Sequence, residues 1–192
     1  MRKYFMILLS LFLLSGCGQR AEPPAETPDA SADQPPAVSE PERAARTDLI
    51  FSVEGNEEAI PAELYSGTGY SLYIPAEGWT GPQTRTDGGI SVDTWVSLDS
   101  RDIALAVSYY EGNPSAEARD AFAQSSGYTF EGLMGGEAGD PLIGTDTNGN
   151  CLAFVVHEGS GGAYAVSWRY PAEAAEGFGA RLPVIAETFL AS

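Results

Sequence analysis

The sequence has little positive charge and lacks the basic clusters that polyanions require. Lys3 is its only lysine, and 10 Lys and Arg residues stand against 27 Asp and Glu residues, giving a formal net charge of −17. Binding to nucleic acid or to an anionic membrane surface needs clustered positive charge. We therefore expect no nucleic-acid partner, and we assign the excess of acid to solubility.

Side chains suited to catalysis are also scarce. A Ser-His-Asp or Cys-His site would have to use His157, the only histidine. Cys151 lies six residues away on the same predicted strand, which separates the two by about 20 Å. Ser160 follows the histidine in Glu-Gly-Ser-Gly-Gly, which is not a nucleophile elbow. We expect no catalytic residue here: Cys151 is interpreted as a small buried or half-buried apolar residue and His157 as a partly exposed residue at a strand end.

The N-terminus has the features of a secretory signal. Arg2 and Lys3 precede residues 5–14, which are apolar except for Ser10. A membrane-spanning helix needs about 20 apolar residues, so this run is too short to span permanently. A positive start, a short apolar core and small residues before a cleavage site indicate a signal peptide.

The run ends in Leu14-Ser15-Gly16-Cys17, which resembles the bacterial lipobox at all four positions. The resemblance implies cleavage after residue 16, thioether lipidation of Cys17 and acylation, such as with palmitate, of the new amino terminus. Two or three acyl chains give stable anchoring. We therefore expect an extracytoplasmic lipoprotein, held to the cell membrane or outer membrane through Cys17. The processed chain would keep 8 basic and 27 acidic residues, a net charge of −19, and Cys151 would have no disulfide partner.

Residues 17–46 are predicted to form a disordered linker after the lipidated cysteine. This segment is rich in Pro, Ala, Glu, Asp and Ser, and Val38 is its one large apolar side chain. Such a composition cannot bury enough surface to offset the entropy of ordering. Proline-rich linkers extend by about 3.1 Å per residue, so the segment is interpreted as a spacer through the cell envelope.

Residues 47–192 have the length of one ordinary domain. Alternating apolar residues predict strands at 49–53, 60–65, 70–75, 91–98 and 103–110, with Pro61 suggesting an edge strand. Further strands are predicted at 128–133, 152–157 and 163–170, with a glycine-rich loop over 135–146. A helix is predicted over 116–125 with Ser115 as N-cap, and a second after Pro171, whose final part has Pro183 in its first turn.

Two details of orientation follow from these patterns. Residues 92, 94, 96 and 98 are predicted to share one face of their strand, with Trp95 opposite. Ile103, Leu105, Val107 and Tyr109 form the apolar side of the next strand. The turns between strands are too short for parallel crossovers, so we predict an α+β fold with a largely antiparallel sheet and flanking helices.

The segment Gly69-Tyr70-Ser71-Leu72-Tyr73-Ile74-Pro75, followed by a glycine and Trp79, resembles the opening of PsbP-like domains. The closing Ile185-Ala186-Glu187-Thr188-Phe189 is similar to their terminal helix. The resemblance covers about residues 69–190 and implies an α/β/α sandwich on a central antiparallel sheet. It also implies binding or assembly in preference to catalysis, although fold alone does not carry function.

Two other patterns could mark sites. Asp146-Thr147-Asn148-Gly149-Asn150 begins like a calcium loop, but Cys151 and His157 replace the required Gly and Glu, so a plain turn is predicted. Tyr73, Trp95 and Tyr110 lie opposite the predicted core side of their strands. They could line a groove for glycan or peptide, although a second core under a helix is the favoured interpretation.

The sequence predicts a membrane-anchored extracytoplasmic lipoprotein that presents a small non-enzymatic binding or assembly domain, without cofactor or metal. A protein or glycan in the envelope is its expected partner. An extracytoplasmic hydrolase or small-ligand carrier with an unrecognised site, and a structural envelope protein, remain alternatives.

Overall fold

The computed structural model describes residues 43–131 and 139–192. These belong to the compact unit Pro41–Ser192. The predicted signal peptide, Cys17 and most of the predicted linker lie outside the described residues.

A small antiparallel sheet is built from both ends of the described chain. Its strands run in the order β1-β2-β3-β11. They are β1 (Arg46–Val53), β2 (Asn56–Gly67), β3 (Tyr70–Pro75) and β11 (Leu190–Ala191). The prediction of an edge position for Pro61 was wrong, because β2 lies between β1 and β3. The Pro61 carbonyl accepts from Ala76 N–H, one residue after β3 ends. The proline nitrogen, which has no hydrogen to donate, therefore lies beyond the paired part of β3 and interrupts no hydrogen bond of that strand pair.

A larger antiparallel sheet has the strand order β4-β5-β6-β10-β9-β8-β7. The strands are β4 (Trp79–Asp87), β5 (Ile90–Ser97), β6 (Ala104–Glu111), β7 (Thr129–Phe130), β8 (Leu142–Thr145), β9 (Cys151–Gly159) and β10 (Gly162–Tyr170). Three of them were not predicted at their observed positions or lengths: β4, β8 and the very short β7.

Helices cover parts of both faces of the large sheet. We call the face that carries Tyr164, Val166 and Trp168 the inner face, and the opposite one, with Ala163 and Ala165, the outer face. Helix α1 (Ser115–Ser126) packs on the outer face, against β9 and β10. Helix α2 (Ala175–Glu187), after a 3₁₀ turn at Ala172–Ala174, packs on the inner face against β10 and on β1. The α+β fold and its α/β/α layering are therefore confirmed, with the small sheet added beside α2.

The main core lies between the two sheets and α2. Phe51 and Leu72 come from the small sheet, Leu105 and Val166 from the large sheet and Leu182 from α2, and all are fully buried. Trp95 also belongs to this core and is 3% exposed, whereas Leu98 is 67% exposed. The alternation predicted for β5 was therefore right, but the side that faces the main core was wrong: Trp95 faces the core, and the side of residues 92, 94 and 96 faces away from it.

Two helix boundaries also differ from prediction. Ser115 is the first helical residue and Pro114 the N-cap, and no side chain caps the helix. Gly127 ends α1 as expected, with a φ of 76°. Pro183 lies inside α2 and not in its first turn. A proline ring clashes with the carbonyl of the residue four positions earlier, and here that residue is Gly179.

Candidate ligand-binding site

A groove of about 340 Å³ opens on the inner face of the large sheet, next to α2. We call it the α2 groove. It exists because small residues face small residues: Cys151, Ala153 and Val155 alternate along β9, opposite Gly179 and other small side chains of the helix. Interiors normally pack without such voids, so this gap is an open site and not part of the core.

The remaining helix wall is formed by Pro183 and Ala186, and Glu187 stands at the rim. On the opposite side β8 contributes Ile143, which is 57% exposed. An apolar side chain this exposed at the mouth of a concave apolar surface is typical of a ligand site.

Two close approaches, one at each end, fix the direction of the α2 groove. A Cβ added to Gly179 would lie 3.2 Å from the Tyr170 hydroxyl, and Tyr170 pairs with Cys151 across β10 and β9. At the other end the His157 ring lies 4.7 Å from the Phe189 ring. The groove therefore runs along β9, from the Cys151 end at the start of α2 to the His157 end after its last turn.

Its polar side chains are held in neutral forms. Burial lowers the pKa of His157, whose Nε2 atom is buried and has no hydrogen-bond partner in the described part of the chain. Burial, and then the neighbouring Cys151 thiol, raises the pKa of Tyr170 to about 12. Near neutral pH these groups add polarity without charge, and Glu187 is the one charged side chain among the residues that line the groove.

Cys151 and His157 thus line one groove, at positions that strand geometry separates by about 20 Å. Both lie on β9, six residues apart, as the sequence predicted. Cys151 is buried, in agreement with its interpretation as an apolar residue. Ser160 lies in the turn between β9 and β10, where its carbonyl accepts from the Tyr109 hydroxyl at 3.3 Å, and it is absent from the groove lining.

The Asp146 loop forms a closed turn. The Asp146 carboxylate accepts the backbone N–H groups of Asn148 and Asn150 at 2.8 and 2.9 Å, and the Asn150 side-chain amide at 2.8 Å. Desolvation acts to raise the pKa of this carboxyl, but these hydrogen bonds, with Gly149 N–H, hold it below the usual value. Its oxygens face N–H donors, which is the geometry of a turn. Within the described ranges no group of three or more His, Cys, Asp or Glu side chains could hold a metal ion.

The three aromatic residues considered for a glycan or peptide groove are on separate surfaces. Trp95 is in the main core, and Tyr110 is buried beneath α1 with Ala118, as the second-core interpretation predicted. Tyr73 is half-buried, and its hydroxyl donates to the Ala44 carbonyl at 2.8 Å. These residues do not form a common groove.

Sequence reasoning missed the helix wall of the α2 groove. Gly179, Pro183 and Ala186 recur at helical spacing beside the apolar stripe of Phe178, Leu182 and Ile185, so small residues on a second stripe were the available signal. Because Pro183 was predicted to lie in the first turn of the final helix, Gly179 was not expected on the same helix face, and this second stripe was not recognised.

No protein-family model and no curated protein matches the chain. Among solved structures, the chain is similar to the solution structure of cyanobacterial PsbP (CyanoP) from Synechocystis sp. PCC 6803, at 18% identity. The likeness covers 68% of this chain and 92% of that one, with a TM-score of 0.48. A likeness of this size assigns neither a family nor a function.

No helix among residues 43–131 and 139–192 is long and apolar enough to cross a membrane.

Proposed function

We propose that this protein is a lipid-anchored extracytoplasmic binding protein, whose α2 groove takes up a small, neutral, mainly apolar molecule. The lipobox-like Leu14-Ser15-Gly16-Cys17 supports the anchor. The observation that carries the binding function is the groove of about 340 Å³ itself. Ligand pockets span about 300–1,000 Å³, so this one suits a small molecule.

The chemistry of the lining selects the class of ligand. Ala153, Val155 and Trp168 offer an apolar surface, and His157 and Tyr170 remain uncharged near neutral pH. Glu187 at the rim and the net charge of −17 repel anions. A neutral apolar molecule loses little hydration on entry and leaves no buried charge unpaired.

The binding function is tested with the neutral dye N-phenyl-1-naphthylamine. The protein is residues 17–192 with Cys17→Ala, which keeps the mature chain but carries no lipid into which the dye could partition. We expect enhanced, blue-shifted dye emission that saturates with a dissociation constant on the order of 10 µM.

Two substitutions locate the dye. Val155→Phe fills the half-buried middle of the α2 groove and should weaken binding by about tenfold or more. Ile143→Ser at the rim should weaken it, whereas Ile50→Ser is the matched control, since Ile50 is 53% exposed on β1 outside the groove. Equal binding by all variants, or none by the parent chain, would refute the proposal.

The anchor is tested separately in cells. Full-length protein should incorporate labelled palmitate and sediment with membranes, and Cys17→Ala should abolish incorporation. Cys151→Ala is the control for the other thiol and should be labelled like the parent. Label retained in Cys17→Ala would disprove lipidation at this residue.

A further inference from the structure

A second groove, of about 280 Å³, lies on the outer face of the large sheet beside the C-terminal half of α1. We call it the α1 groove. The strand registers place Thr94, Ala106 and Ser167 side by side on β5, β6 and β10, since Thr94 pairs with Ala106 and Ala106 with Ser167. The main contacts of helix α1 with this sheet are to β9 and β10, and the row lines the groove beside the helix as its floor.

Ser167 is a polar group without a protein partner on that floor. The residue is 5% exposed, and its hydroxyl has no hydrogen bond to any residue of the described part of the chain. Its oxygen is not among the buried side-chain atoms that lack a partner there, so it is open to the groove. A hydroxyl that lines an open groove can obtain its partner from a ligand, as both donor and acceptor.

Aromatic side chains form the wall of the α1 groove. Phe122 of α1 lies against Phe154, with ring centroids 4.5 Å apart, which holds it beside the floor. Tyr128 follows the left-handed Gly127, and its N–H donates to the Ser126 hydroxyl at 3.1 Å. The floor of the α1 groove thus offers hydroxyl groups, and its wall offers aromatic rings. A ligand with hydrogen-bonding groups at its edge and apolar faces could contact both.

The charges around the wall do not favour either sign. Arg169 lines the groove. Burial is the largest cause of the raised pKa of Tyr128, Asp146 and Asp102 raise it further, and Arg169 lowers it. Carboxylates and a guanidinium thus both act at this wall, so a ligand with a net charge would meet repulsion from one of them.

We propose that the α1 groove binds a neutral saccharide, with ring hydroxyls on Thr94 and Ser167 and a sugar face against the aromatic wall. This goes beyond the proposed function, because the α1 and α2 grooves lie on opposite faces of the large sheet. The volume of the α1 groove, about 280 Å³, admits about one or two sugar rings, since pockets near 300 Å³ hold small ligands.

The test uses the full lipidated chain in phosphatidylcholine nanodiscs, titrated calorimetrically with maltose, cellobiose and lactose. At least one of these should bind with saturating heat. Ser167→Ala should weaken that binding by about tenfold, the worth of one hydrogen bond, while its thermal midpoint stays the same or rises. Ala106→Leu, which fills the floor, should abolish binding.

Ser108→Ala is the matched control. Ser108 is also a 5% exposed serine on the outer face but does not line the groove, so its substitution should leave saccharide binding unchanged. Failure of all three sugars to bind, or equal losses in Ser167→Ala and Ser108→Ala, would overturn the proposal. Dye binding in the α2 groove is read independently, so either proposal can fail alone.

Discussion

The Tyr70 hydroxyl donates a 2.5 Å hydrogen bond to the Asp93 carboxylate, and this bond joins β3 of the small sheet to β5 of the large sheet. The same carboxylate accepts from Thr84 at 2.6 Å and from Tyr65 at 3.4 Å. Burial and then the bond to Asp93 raise the pKa of Tyr70 well above its usual value. One carboxylate therefore gathers donors from both sheets.

We expect Asp93→Ala to lower the free energy of unfolding by about 1–3 kcal/mol, because the buried Tyr70 hydroxyl loses its acceptor. Urea denaturation measures the change. Asp87→Ala, at an exposed position of β4, should stay within about 0.5 kcal/mol of the parent. A cost in Asp93→Ala no larger than that control would show that this bond adds nothing to stability.

His157 should make stability depend on pH. Its folded pKa lies below the unfolded value of about 6.5, so the unfolded chain binds more protons as the pH falls. The free energy of unfolding should therefore decrease from pH 6.5 downward, until the folded pKa is passed, and be unaffected by this group above about pH 7.5. His157→Phe should remove this component in denaturation at pH 7.5, 6.5 and 5.5, and an identical profile in the variant would contradict the prediction.

Arg43 holds the start of the described chain against the domain. Its guanidinium donates to Ser71 Oγ at 2.8 Å and to the Thr188 carbonyl at 2.7 Å, and it lies 4.5 Å from the centre of the Tyr73 ring. Arg43→Ala should cost about 1–2 kcal/mol of unfolding free energy. Arg85→Ala, on exposed β4, is the control of equal charge, and matching effects of the two would rule out a specific role for these contacts.

Cys151 should report occupancy of the α2 groove. In the unlipidated Cys17→Ala chain it is the only thiol. Labelling by N-ethylmaleimide should be slow, because Cys151 is 7% exposed. Dye at ten times its dissociation constant should slow labelling a further ~10-fold if reaction requires an empty groove. Val155→Phe should show no such protection, and protection that persists in this variant would place the dye elsewhere.

Much of the fold could be predicted because hydrophobic period and turn chemistry are local properties. The β9–β10 hairpin, the end of α1 at Gly127 and the apolar side of β6 all follow from them. Period alone does not tell which side of a strand meets the larger core. On β5, the four aliphatic or Thr side chains at positions 90, 92, 94 and 96 lie on one side, yet the main core receives Trp95 from the other side. A single indole has a large apolar area to bury, and the alternation does not show which side does so.

The missed elements depended on distant partners. Strand β4 is polar and mostly exposed, so it has no apolar period and is held by pairing with β5. Strand β8 lies in a glycine-rich stretch and is held by pairing with β9. Both grooves were missed for the same reason, because an opening between elements depends on small residues from separate strands and a helix meeting in space.

Strand β11 has a consequence for how the chain acquires its shape. Leu190 and Ala191 pair with β3, and Ser192 N–H donates to the Gly69 carbonyl at 2.9 Å. The small sheet is therefore completed by a strand that lies more than a hundred positions after its neighbour β3 in the sequence. Until a ribosome has synthesised the chain past Ala191, the β3 edge has no partner from β11 and stays open to other strands.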